Sequence, residues 1–213
     1  MPKSKPWSKP AKGRASQKPR PRRRVLIYCE DSKSSADYLR CFPVDSKRIE
    51  LLVEGTGMNT DSLIQAAIDA KDKALKKKTP YSQVWCVFDR DSFPMKNYAR
   101  AFELARTNKI KTAWTNEAFE LWYLLHFDYV DSAISRKDYA DKLLKRGLAY
   151  DKADRGVYAK ISEKQDTAIR NAKKLGRYWN ENGCKSPERE NPSTNVHELV
   201  ELLNEFVGLG SVD

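Results

Sequence analysis

Apolar and polar positions fall into two textures along the chain. Four short runs, 25–29, 49–53, 82–88 and 110–115, are apolar at most positions, and each predicts a buried strand. Between them apolar residues recur at helical spacing. Leu63, Ile64, Ala67, Ile68, Ala74 and Leu75 predict a long helix that Asn59 or Thr60 caps and that ends by Lys78 and Pro80. Met95, Tyr98, Ala99, Phe102 and Ala105 predict another helix, and 34–42 a shorter one. Strand and helix alternating in this way imply an α/β fold, a mostly parallel sheet with helices on both faces. Beyond Asp128 the pattern turns helical and polar, with amphipathic helices expected over 135–146, 166–182 and 193–206 and a loop over 183–192. The expected organisation is a basic tail over 1–24, an α/β core over 25–128, and a helical C-terminal region over 129–213 that packs on the core.

The third run carries the first chemical signal. In SQVWCVFDRDSF, residues 82–93, a stretch with no polar face ends in Asp89, Arg90 and Asp91. Strands covered on both sides do not end in stacked carboxylates unless something pairs with them. All strands of a parallel sheet point one way, so Glu30 and Asp31 after the first run share an edge with Asp89 and Asp91 after the third. Open α/β folds bind their ligands at that edge. Carboxylates gathered there repel one another by roughly several kcal/mol unless a cation compensates, and hard oxygen donors without His or Cys suit Mg²⁺ or Mn²⁺. A plain turn is the alternative for an isolated Asp-x-Asp.

Other candidates cluster around that edge. Asn116 is expected to cap the helix after the fourth strand, which sets Glu117 and Glu120 on one face, with Glu120 as a further metal ligand or a helix-dipole residue. His126 is expected as a hydrogen-bonded core histidine, with proton transfer as the alternative, and His197 as structural. Lys33, Arg90 and Lys96 fall near the acidic edge, where they would balance phosphate charge. In the C-terminal region Tyr150, Tyr158 and Trp179 stand among Lys152, Arg155 and Lys160 and other bases, a composition that serves either packing or stacking on single-stranded nucleic acid.

Charge and composition narrow this picture. The net charge is +11, but residues 1–24 hold ten Lys or Arg, five prolines and no acid, so the remainder carries only +1. That tail, ending in Arg22, Arg23 and Arg24, is expected to be disordered and to track polyanions electrostatically, or else only to keep the chain soluble. Cys29, Cys41, Cys86 and Cys184 have no metal-ligand spacing and read as reduced thiols, which points to the cytoplasm. No apolar stretch approaches the roughly 20 residues of a membrane span, and no Gly-rich phosphate loop is visible.

Whole blocks of the chain carry a resemblance. VLIYCEDSKSSADYL, VWCVFDRDSF, TNEAFELWYLLHF and NPSTNVHELVELL resemble successive blocks of the RloB-like family, and Glu30 with Asp89-x-Asp91 resembles the Toprim pattern of topoisomerases, primases and OLD-type nucleases. The first block departs from the family's usual Glu-Gly-x-x-Thr-Glu, with Asp31 where Gly is common and no second Glu. The resemblance implies a Toprim-like sheet and a metal-dependent nuclease acting on RNA, tRNA included, or DNA. It also implies prokaryotic antiviral defence beside an ABC-type or AAA ATPase partner. Glu30 would be the general acid or base and Asp89 and Asp91 the metal pair. The alternatives are a catalytically silent nucleic-acid-binding subunit under an ATPase, and a phosphoacceptor or phosphatase-like domain, which would need a lysine ending a fifth parallel strand.

Overall fold

The computed structural model describes residues 22–90, 95–184 and 186–208, and for 95–97 the backbone alone. Four parallel strands follow the four apolar runs: β1 (Arg23–Cys29), β2 (Ile49–Gly55), β3 (Gln83–Asp89) and β4 (Lys111–Asn116). A short β5 (Ser193–Thr194) joins β4 antiparallel, giving the order β2-β1-β3-β4-β5. The connecting helices are α1 (Ser34–Arg40), α2 (Thr60–Lys76) and α3 (Met95–Thr107). From β1 the chain steps outward to β2, then crosses back over to β3 and on to β4. The reversal opens a crevice between the ends of β1 and β3, the switch point at which such sheets hold ligands.

Alternate residues of each strand face opposite layers. Val25, Ile27 and Cys29 of β1 join Trp85, Val87 and Ala113 in one apolar cluster. Leu26 of β1 joins Val84, Cys86, Phe88 and Trp114 in the other, beneath Leu63, Ile64 and Ala67 of α2 and Tyr98, Ala101 and Ala105 of α3. The first layer is the larger. It is covered by α1, α4 (Glu120–Leu124), α5 (Tyr139–Leu144), α6 (Val157–Ile161), α7 (Gln165–Glu181) and α8 (Val196–Asn204). Leu143, Leu175 and Leu199 of the C-terminal region therefore sit in the same cluster as Val25 and Trp85, and each of these residues is almost fully buried.

Several boundaries differ from the sequence reading, each for a local reason. The tail gives way to the sheet before Val25: Arg23 and Arg24 lie within β1, and Arg24 bonds Glu50 at 2.9 Å and stacks on Tyr81. Asn59 does cap α2, its Oδ1 accepting the Ser62 N–H at 3.0 Å. Asn116 does not cap α4. It is a buried strand residue whose Nδ2 donates to the Glu190 carbonyl, and α4 starts four residues later. The expected helix over 193–206 begins only at Val196. Ser193 and Thr194 pair with β4 instead, and Asn195 prolongs the ladder, accepting from Trp114 N at 2.8 Å and donating to Thr112 O at 2.9 Å. The helix over 135–146 starts as a 3-10 turn at 136–138, and α6 falls between the helices expected over 135–146 and 166–182.

The four cysteines are free thiols, Cys29 and Cys86 buried. Among the described residues no helix is long and apolar enough to cross a membrane.

Gly55, the last residue of β2, lies against the turn that follows Glu30. A Cβ there would stand 2.5 Å from Ser32 Cα and 3.0 Å from Asp31 O, both backbone atoms. Gly55→Ala is therefore expected to displace that turn at a cost of about 1–3 kcal/mol. Calorimetry should record a melting temperature several degrees lower, and an unchanged one would contradict the contact.

Candidate active site

Glu30 is fixed by backbone bonds on both sides. Its N–H donates to Val87 O of β3 at 2.8 Å, and its carbonyl accepts from Gly57 N, just beyond β2, at 2.9 Å. The parallel ladders thus continue one residue past β1 and aim the side chain into the switch-point crevice. There the carboxylate accepts from Thr60 Oγ1, in the first turn of α2, at 3.2 Å, and from the Asp89 backbone N–H at 3.3 Å. Glu30 and Asp89 therefore meet at the end of β3, as the strand order requires.

Asp31 has a different task. Its Oδ1 accepts from Lys33 N at 2.5 Å and its Oδ2 from Ser35 N and Ser35 Oγ at 3.2 and 3.1 Å. These bonds satisfy amide groups at the start of α1, which would otherwise be orphaned. Glu30, Asp31 and Asp89 line a cleft of about 50 Å³ together with Ser35 and two cations from the C-terminal region, Arg136 and Lys152. Arg136 reaches Asp89 Oδ2 at 3.0 Å. Its own N–H donates to Glu117 Oε2 at 3.1 Å, which ties the start of the 136–138 turn to the segment after β4.

Glu120 does not line this cleft. Nearly buried at 8% exposure, its Oε1 accepts from the Tyr150 hydroxyl and from Ser34 Oγ at 3.3 Å. Tyr150 and Ser34 also bond each other at 2.9 Å. The structure thus makes Glu120 an anchor that binds the C-terminal region to the start of α1, and Glu117 and Glu120 serve different partners. Burial, with Glu120 next in weight, pushes the Tyr150 phenol far above its usual range.

Two buried tyrosines register the negative charge of the edge. The hydroxyls of Tyr98 and Tyr139 find no hydrogen-bond partner among the described residues. Burial raises both phenols, reinforced by Asp89 and Glu30 at Tyr98 and by Glu117, Glu120 and Asp89 at Tyr139. Both stay neutral in the core.

The remaining sequence candidates are scattered. Asp91 and the Lys96 side chain lie outside the described residues, as do 1–21 of the tail. Lys33 is exposed on the turn before α1. Arg90 follows Asp89, its N–H bonded to Thr115 O at 2.8 Å and its Nε buried without an acceptor among the described residues. Arg22, Arg23 and Arg24 stand at the opposite end of β1, about 20 Å from Glu30 at the usual strand rise. Arg22 and Arg24 pair with Glu50, and Arg23 with Glu205. His126 is a core residue: 1% exposed, Nδ1 bonded to Trp122 O at 2.9 Å, its ring edge-on to Tyr38 and Trp122.

The donors of the cleft bear on an ion. No three His, Cys, Asp or Glu side chains among the described residues are grouped to hold a metal. Mg²⁺ is commonly held by one or two carboxylates and completed by water and phosphate oxygens, and Glu30 and Asp89 are the carboxylates that would face it here. Both offer hard oxygen only.

The fold and this edge define an α/β protein with a carboxylate-lined cleft at the switch point of a parallel sheet. The chain belongs to the RloB-like protein family, whose family model matches residues 25–203. Comparison with the curated proteins finds no match, and comparison with solved structures finds none either.

Two outcomes test the anchors and the core. Tyr150→Phe leaves the buried Glu120 carboxylate short of its donor, so chemical denaturation should show a loss of about 1–3 kcal/mol. Burial also brings the His126 pKa down from 6.5 to about 4. Between those values the unfolded chain takes up a proton that the folded chain refuses, so stability is full above pH 6.5 and falls toward pH 4, by up to about 1.4 kcal/mol per unit. His197 acts in the same direction. Urea midpoints across that range should drop with pH, and less steeply in His126→Asn.

Proposed function

We propose that the chain is a divalent-metal-dependent nuclease that hydrolyses phosphodiester bonds in RNA, tRNA included, or in DNA. The observation that carries this reading is the bond from the Asp89 N–H to the Glu30 carboxylate at the β1/β3 switch point, in a cleft that also holds two cations. Membership of the RloB-like family supports it, and the Toprim resemblance of Glu30, Asp89 and Asp91 gives the reaction class. By the same resemblance the protein acts in prokaryotic antiviral defence beside an ABC-type or AAA ATPase.

In this reading Asp89 and Asp91 hold Mg²⁺ or Mn²⁺. The ion, when bound, supplies Lewis acidity toward a phosphoryl oxygen and a more acidic water. Glu30 moves the proton. Its carboxylate is held in place by Thr60 and the Asp89 amide, so it is oriented before substrate arrives. Thr60 fixes one Glu30 oxygen from the first turn of α2, and Asp31 holds the α1 turn that walls the cleft. The Tyr150–Glu120–Ser34 knot keeps the segment bearing Lys152 over the same edge.

A phosphoacceptor is disfavoured, because the fifth described strand is a two-residue antiparallel one and offers no lysine. A silent nucleic-acid-binding subunit is the second reading, and the Arg136–Asp89 ion pair is what favours it.

The discriminating assay incubates the full chain, with and without an ATPase partner, with tRNA, single-stranded DNA and supercoiled DNA in Mg²⁺ or Mn²⁺. Glu30→Gln and Asp89→Asn should each reduce cleavage by roughly 100-fold or more. Nucleic-acid binding that persists in all three proteins with no cutting by any would replace the nuclease with the silent subunit.

A further inference from the structure

We infer that Arg136, with Lys152 beside it, binds the substrate phosphodiester at this cleft, and that Arg136 changes partner from Asp89 to phosphate when a divalent cation enters. The inference rests on the reading of Glu30 and Asp89 as a cation site.

Geometry makes Arg136 suited to an exchange. Its backbone is pinned by the Glu117 bond and by the turn that leads into α5, whose Tyr139 and Leu143 are buried in the core. Its side chain is 44% exposed, against 14% for the Asp89 carboxylate it reaches. The root is fixed while the guanidinium lies at the solvent side of the pair, and an ion pair with one wet partner is held weakly.

Charge gives the direction. Among the described lining residues, Glu30, Asp31 and Asp89 outnumber Arg136 and Lys152 by one, so the cleft is anionic and one cation is drawn onto Asp89. A divalent ion at Asp89 competes with the guanidinium for the same oxygens and reverses the sign of the cleft. Arg136, displaced from Asp89, is then a planar donor fork at the mouth of a positive site, and phosphate is the anion whose geometry that fork matches. Lys152 adds a point charge two residues from Tyr150, whose hydroxyl is tied to Glu120 and Ser34. A polynucleotide backbone is the ligand class that brings a phosphodiester to such a place.

Two titrations on the full chain test this. Mn²⁺ binding is followed by electron paramagnetic resonance, and binding of a fluorescent single-stranded oligonucleotide by anisotropy in Ca²⁺, for wild type, Arg136→Gln, Arg136→Lys and Lys152→Gln. Removing the competing guanidinium should tighten Mn²⁺ binding by Arg136→Gln roughly two- to fivefold. The same variant should bind the oligonucleotide about tenfold more weakly, the worth of a charged hydrogen bond. Arg136→Lys should recover part of the oligonucleotide affinity, and Lys152→Gln should weaken oligonucleotide binding with less effect on Mn²⁺. Opposite signs in one folded variant are not expected of a merely structural residue. Equal weakening of both ligands, or no change in either, overturns the exchange. If wild type binds no Mn²⁺, or binds it as Asp89→Asn does, the cation site itself fails; normal wild-type Mn²⁺ binding with an unshifted Arg136→Gln defeats the exchange alone.

Discussion

The carboxylate edge depends on one constraint, the parallel pairing of β1 with β3, in which Cys29 lies opposite Val87. Two acids 59 positions apart in sequence come together because the ladder runs on past Cys29 and fixes Glu30 between Val87 and Gly57. The apolar clusters on the two faces hold that register, since a slip of one residue would turn Val25, Ile27 and Cys29 away from their layer. The position of the site is thus a consequence of core packing.

Charge is distributed along the strands with a polarity of its own. At the start of β1, Arg22, Arg23 and Arg24 pair with Glu50 and Glu205, and at the opposite edge of the sheet Glu30, Asp31 and Asp89 share a cleft with Arg136 and Lys152. The compensation differs in origin. At the first edge Glu50 comes from the neighbouring strand and Glu205 from the far end of the chain. At the second edge both cations come from beyond β4, so the electrostatic state of the cleft depends on how the C-terminal region docks. Glu120, Tyr150 and Ser34 are the fixed point of that docking.

The legible parts of the fold were those with local causes. Continuous apolar runs gave four strands because a strand buried on both faces leaves no polar position, and Glu30 and Asp89 followed from the ends of those runs. Arg136 falls at the start of an expected amphipathic helix and Lys152 in a polar stretch between helices, and nothing near Arg136 in sequence points to Asp89, 47 residues away. Glu120 read as a metal ligand or a helix-dipole residue because its partner Tyr150 is 30 residues on, in a segment whose fold the pattern does not reveal. Asn116 and Ser193 misled for the same reason: polar residues that cap or start helices by local preference were taken up by long-range pairing across the β4–β5 seam.

That seam also sets the order in which the protein can be finished. Thr115 of β4 meets Thr194 of β5 only after 79 further residues have been made. At the usual pace of synthesis that interval is roughly 4–16 s. During it a chain leaving the ribosome carries β4 with one row of amide and carbonyl groups facing water, and an apolar layer still awaiting α7 and α8.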